Sequence, residues 1–254
     1  MEIKYLYSII LIIFCWNANA QLSLLVKELP VESFKSYVPN NRESLNHEIR
    51  YPGHILEITL TNESNKSISL PLDSISYAIP YTDNISEYYD RADNMPEKPD
   101  VYNFLGVFAF VNQKGKLKNL EIGDPSYDVL QMQVIQKIEK QRLEKIHRWK
   151  EDKSISNELS ATYNWYLMNH MVMIPAHKNI KYKIYFNPAL KLLNEYDDIQ
   201  YYFGWDPKIS SEVIFKLILP KNLYKFLTKE DRRKYPNLFT GIISSNRLVF
   251  KASK

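Results

Sequence analysis

One short segment alternates apolar and polar residues without error, and that pattern constrains the fold more than any other feature of the chain. In Leu56-Glu57-Ile58-Thr59-Leu60-Thr61 every second side chain is apolar. Successive strand residues point to opposite faces, so a period of two means one face buried and one wet. After Asn62-Glu63-Ser64-Asn65 the alternation resumes in Ser67-Ile68-Ser69-Leu70-Pro71-Leu72. Asn and Ser side chains satisfy turn backbone locally, so this stretch predicts two strands joined by a tight turn.

The same pattern recurs along the chain. Ile180 to Phe186 alternates again, and Leu22 to Val26, Val213 to Leu219 and Leu248 to Phe250 read as further strands. Phe104 to Val111 is apolar on both faces, as a central strand would be, and Asn112-Gln113-Lys114-Gly115 supplies a turn after it. Tyr166 to Ile174 also reads as a strand. Eight or so strands at this spacing predict a mainly β chain built as a sandwich.

Two helical segments interrupt the strands. Asp124-Pro125 has the form of an N-cap followed by proline at the first helical position. Leu130, Val134, Ile135, Ile138, Ile146 and Trp149 then recur at helical spacing, which predicts a helix from Pro125 to Lys150. Arg142 falls within that stripe and is expected to end at the surface. The segment from Lys137 to Lys153 carries seven basic and four acidic residues, with Glu144 and Arg148 as an i, i+4 pair. Thr228 with Asp231 has the spacing of a loose capping box before a short helix that stops at Pro236.

Leu56 to Leu72, and Ile174-Pro175-Ala176-His177-Lys178-Asn179-Ile180 leading into Tyr182 to Phe186, resemble secreted immunoglobulin-like sandwich domains. Residue usage rich in Asn, Lys, Ile and Tyr is similar to that of exported proteins of Bacteroidota. The resemblance implies an immunoglobulin-like β-sandwich, here with a long helical insertion near residues 125–150 and a short C-terminal helix. It implies no activity. Where such domains carry Gly after the Pro, this chain has Ala176 and His177.

The first twenty residues have the order of a secretory signal. Lys4 gives a weakly positive start, Leu6 to Trp16 is an almost unbroken apolar run, and Ala18-Asn19-Ala20 offers small residues before Gln21. The reading is a signal peptide over residues 1–20, cleaved before Gln21, and one domain over residues 21–254. The expected location is the periplasm or the cell exterior, with the chain soluble after cleavage. Later apolar runs are too short for a membrane helix. The chain's one cysteine, Cys15, lies inside the signal, which leaves no thiol for disulfides, cysteine catalysis or Cys-ligated metal. A lipid-anchored cysteine needs a small residue before it, and here that residue is Phe14.

The six glycines lie at least eight residues apart. A phosphate-cradling loop needs them clustered, and a G-x-S-x-G nucleophile elbow is also absent, so nucleotide-dependent and α/β-hydrolase chemistry are not expected. The five histidines form no H-E-x-x-H or helical i, i+4 pair. No cofactor is expected.

Residues 80–100 form a long proline-interrupted stretch with six acidic and two basic residues. Asp90 and Asp93, with Asn94, could offer oxygen ligands to Ca²⁺, although their spacing is not that of an EF-hand. Glu195, Asp197 and Asp198 form a second acidic group. Asn62, Asn65 and Asn84 begin N-x-S sequons and are read as turn residues.

Aromatic residues make up 13% of the chain, with 19 tyrosines. Tyr88, Tyr89, Tyr201, Tyr202 and Trp205 are the candidate ligand-binding residues, since Tyr and Trp offer a flat apolar face with a polar handle. The leading expectation is a non-catalytic binding or envelope-associated protein whose partner is a glycan or another protein, not nucleic acid. The alternatives are an extracytoplasmic hydrolase acting on glycans through the loop carboxylates, and a partner that adds a strand across a bare sheet edge.

Overall fold

The computed structural model describes residues 22–30, 53–75, 77–78, 80, 105–118, 120–123, 129–188, 192–193 and 200–252. The expected signal segment, the 81–100 loop and the start of the long helix lie outside them. The chain is mainly β. In chain order the strands are β1 (Leu22–Glu28), β2 (His54–Asn62), β3 (Ile68–Pro71), β4 (Tyr77–Ala78), β5 (Val107–Gln113), β6 (Lys116–Lys118) and β7 (Leu120–Gly123). After helices α1 (Val129–Asp152) and α2 (Glu158–His170) come β8 (Met171–Ile174), β9 (Asn179–Phe186), β10 (Leu192–Leu193), β11 (Gln200–Phe203) and β12 (Ser211–Leu219). A 3-10 helix (Lys221–Phe226), α3 (Lys229–Lys234) and β13 (Gly241–Phe250) complete the order.

Two sheets enclose the main core. One is antiparallel in the order β1-β2-β9, and the other runs β13-β12-β5-β4. Alternation sets the buried faces: Leu22, Leu24 and Val26 of β1 are buried while Ser23, Leu25 and Lys27 are exposed. Leu56, Ile58 and Leu60 join them from β2, and Val213, Phe215 and Leu217 come from β12. Phe186 is the hinge of the aromatic packing, meeting Tyr77 edge-on at 5.0 Å and Phe215 at 5.4 Å. Each such pair adds about 0.5–1.5 kcal/mol beyond the area it buries. β5 is buried on both faces, as its composition predicts. Its outer face feeds a second cluster of Ala78, Phe108, Phe110 and Ile218. The β5–β6 turn places Lys114 and Gly115 at φ +51° and +74°, the two left-handed residues of a tight hairpin turn.

The two sheets are clasped along β1 and β13. Between Ile214 and Lys216 the register of β12 against β13 slips by one residue. This bulge in β13 shifts its inward positions from Gly241, Ile243 and Ser245 to Leu248 and Phe250. Ser245 Oγ accepts from the Phe215 N–H at 3.0 Å, and Asn246 is freed to reach across. Its Oδ1 accepts from Val26 N at 2.8 Å and its Nδ2 donates to Val26 O at 3.0 Å. One side chain thus stands in for a strand on the free side of β1. His54 contacts both Glu28 and Phe250, so the C-terminal ends of β1 and β13 lie together and the two strands run the same way.

The predicted hairpin at Asn62–Asn65 is not one. β2 pairs with β9, whereas β3 pairs with β8. The pairs form a single antiparallel ribbon that bends where residues 62–67 lie opposite residues 175–178. Asn62, fully buried, fills the bend. Its Nδ2 donates to the carbonyls of Lys66, Ile174 and Pro175 at 2.7, 2.9 and 3.1 Å, and its Oδ1 accepts from Ser64 N and Oγ. With both amide ends occupied inside the fold, this sequon asparagine is architectural. His177 takes φ +56° in the opposing turn and meets Asn65 at 2.8 Å, filling a left-handed position that favours glycine.

Three further expectations are corrected. Tyr166 to His170 is the last part of α2, and only Met171–Ile174 is strand. Arg142 of α1 is buried, with its guanidinium forked onto the Glu139 carboxylate at 2.9 and 3.0 Å; pairing removes the penalty that would have sent it to the surface. Arg148 bonds the carbonyl oxygen of Glu144, not its carboxylate. The capping box at Thr228 and Asp231 is present and starts α3.

Candidate functional site

At the Ser211 end of β12, one carboxamide ties a loop to both sheet strands. Gln113 Nε2 donates to Asp206 O at 2.8 Å, Ile209 O at 3.0 Å and Ser211 Oγ at 2.9 Å, while its Oε1 accepts from Asp206 N at 3.0 Å. Trp205 lies in this loop. Its ring is partly buried against the main core and its Nε1 donates to Ser211 Oγ at 2.8 Å. Tyr201 and Tyr202 lie on β11, paired with Ile122 and Glu121 of β7. Tyr88, Tyr89, Asp90, Asp93, Glu195, Asp197 and Asp198 fall outside the described residues.

A titratable pair occupies the same end. His54 Nδ1 and Glu28 Oε1 are 2.7 Å apart, and both side chains reach solvent. The imidazole lies 4.0 Å from the Phe250 ring, beside the Ser211 pairing position. Gly53 lets this end close: a Cβ there would meet the Tyr185 ring at 2.5 Å. A partly exposed imidazole held by a carboxylate can grip a polar ligand group. The sequence shows no signal for it, because Glu28 and His54 are far apart along the chain.

The opposite end, past Leu219, holds a buried polar network. Asn164 of α2 accepts from Trp149 Nε1 at 2.8 Å and donates to Phe226 O at 2.9 Å and Asp231 Oδ2 at 2.8 Å. Asp231, 1% exposed, also accepts from Thr228 N at 3.0 Å and, through Oδ1, from Lys153 Nζ at 3.2 Å. Burial pushes the Asp231 carboxyl up, but the bonds from Asn164, Thr228 and Lys153 outweigh it and hold the group below the ordinary carboxylate range. Burial alone raises the phenols of Tyr163 and Tyr224 nearby. With both oxygens hydrogen-bonded and almost no solvent contact, Asp231 ties α3 to Asn164 of α2 and to Lys153 just past α1, and Asn164 carries the link on to the 3-10 helix.

Among the described residues, no group of three His, Cys, Asp or Glu side chains converges as a metal site, and no helix is long and apolar enough to cross a membrane. One surface was missed at the sequence level. Residues 221–234 carry six basic and two acidic side chains, a window that a charge count over α1 alone does not reach. No protein-family model, curated protein or solved structure matches this chain.

Proposed function

We propose that this chain is an exported, non-catalytic binding module on an immunoglobulin-like scaffold, working in the periplasm or outside the cell. The observation that supports the reading is strand order. An immunoglobulin-type sandwich pairs its strands A-B-E in one sheet and C-F-G in the other. Here β1, β2 and β9 occupy the first set, and β5, β12 and β13 the second, in that chain order. Such a scaffold leaves ligand recognition to strand ends and connections. The partner is a glycan or an envelope protein, met by whichever of Tyr201 and Tyr202 faces outward and by the exposed part of Trp205, together with Tyr88 and Tyr89 of the 80–100 loop.

A thermal-shift screen of the exported protein against glycans, peptidoglycan fragments and Ca²⁺ tests this reading. A ligand at a hundred times its dissociation constant adds about 2.7 kcal/mol of stability. The expected result is a glycan- or protein-specific shift that one of Tyr201→Ala and Tyr202→Ala abolishes, because adjacent strand residues face opposite sides. Release of cleaved product over time would replace the binding module with a hydrolase.

A further inference from the structure

We propose that the face built by residues 221–234 docks on a membrane surface rich in anionic phospholipid. The segment holds Lys221, Lys225, Lys229, Arg232, Arg233 and Lys234 against Glu230 and Asp231, so its net charge is 6 − 2 = +4, equal to the formal net charge of the whole chain. Folding sharpens the imbalance. Asp231 turns inward to Lys153 and Asn164, which removes one of the two acids from the surface. The other, Glu230, lies 3.8 Å from Lys153 Nζ. Arg232 is drawn back onto the carbonyls of Tyr224 and Leu227. Lys221, Lys225, Lys229, Arg233 and Lys234 are exposed, and among the described residues no carboxylate pairs with Lys221, Lys229 or Arg233.

Apolar surface accompanies these cations. Lys225 Nζ sits 5.1 Å from the Phe226 ring and Lys234 Nζ 5.4 Å from that of Tyr235. Phe226 stacks on Tyr163 of α2 at 4.3 Å. Leu159, four residues before Tyr163 and so on the same side of the helix, is 48% exposed. Ammonium and guanidinium groups meet lipid phosphates while Leu159 enters the headgroup boundary. A soluble acidic polysaccharide would use the cations and gain nothing from Leu159. This face lies at the Leu219 end of β12 and the Trp205 loop at the Ser211 end, about 26 Å away by strand rise, so the two surfaces can fail separately.

The test is co-sedimentation of the exported protein with vesicles of phosphatidylglycerol and phosphatidylethanolamine, against phosphatidylcholine alone. Binding is expected only to the anionic vesicles, and it should fall as salt rises. Each cation near such a surface contributes about fivefold in partitioning. The triple variant Lys221→Gln, Lys229→Gln, Arg233→Gln should therefore lose about a hundredfold. A control triple, Lys116→Gln, Lys208→Gln, Lys251→Gln, changes net charge equally and should lose far less. Leu159→Asn should weaken vesicle binding and leave the melting temperature near wild type. Equal loss in both triples, no preference for anionic vesicles, or binding to an acidic polysaccharide without vesicle binding would each overturn the proposal.

Discussion

Two buried asparagines hold two corners of this molecule by different means. Asn62 fills the ribbon bend with neutral partners, four of its five being backbone groups and the fifth the Ser64 hydroxyl. Asn164 joins helices through an ionised carboxylate and the ammonium that faces it. The first corner depends on no protonation state, whereas the second does. A fold can thus be insensitive to pH where its sheets bend and sensitive where its helices meet.

The largest expected effect is at the neutral corner. Asn62→Ala takes the side-chain partner from Ile174 O and from the Ser64 N–H, while Lys66 O keeps the Ser64 hydroxyl and Pro175 O keeps the Lys178 N–H; it should cost about 4 kcal/mol in urea unfolding, equally at pH 4 and pH 8. A clear pH dependence would break the contrast. Asp231→Ala should cost about 3 kcal/mol at neutral pH by leaving Lys153 and Asn164 unmatched. Because the folded carboxyl is held low, its contribution is full above the unfolded value of about 3.9 and fades as pH falls through the folded value. The stability gap between wild type and Asp231→Asn should therefore narrow as pH falls below about 4; a gap constant down to pH 2 would show that ionisation plays no part.

Smaller changes sharpen the picture. Asn246→Ala should cost about 1.5 kcal/mol by removing both bonds to Val26, and amide exchange at Val26 should speed up more than at Ile58. Tyr182→Phe should leave stability within about 0.5 kcal/mol of wild type or raise it, because the Tyr182 hydroxyl is buried with no hydrogen-bond partner among the described residues.

Local pattern made some of this legible and not the rest. β1, β2, β9 and β12 follow from alternation, and α3 from the Thr228–Asp231 spacing, because each is decided within a few residues. The bend at Asn62 reads as a hairpin because Asn and Ser turn chemistry looks the same whether the next strand folds back or joins another sheet. Partner choice there is settled by residues 174–178, more than a hundred positions away. The end of α2 reads as strand from Tyr166 on because it runs without a break into Met171–Ile174, while the burial of α2 spans Ala161, Tyr163, Asn164, Tyr166 and Leu167, too wide for a simple stripe. Of the candidate aromatics, Trp205 gives its N–H and part of its ring to the interior, which no count of aromatic residues could foresee.

The clasp between Val26 and Asn246 joins groups 220 residues apart. A chain synthesised from its N-terminus therefore carries the far side of β1 open until Asn246 has been made. Long-range pairing of this kind is slow, since loop closure must precede any reward. The interval before β13 arrives is when this protein is most exposed to wrong partners, and the bulge that aims Asn246 ends it.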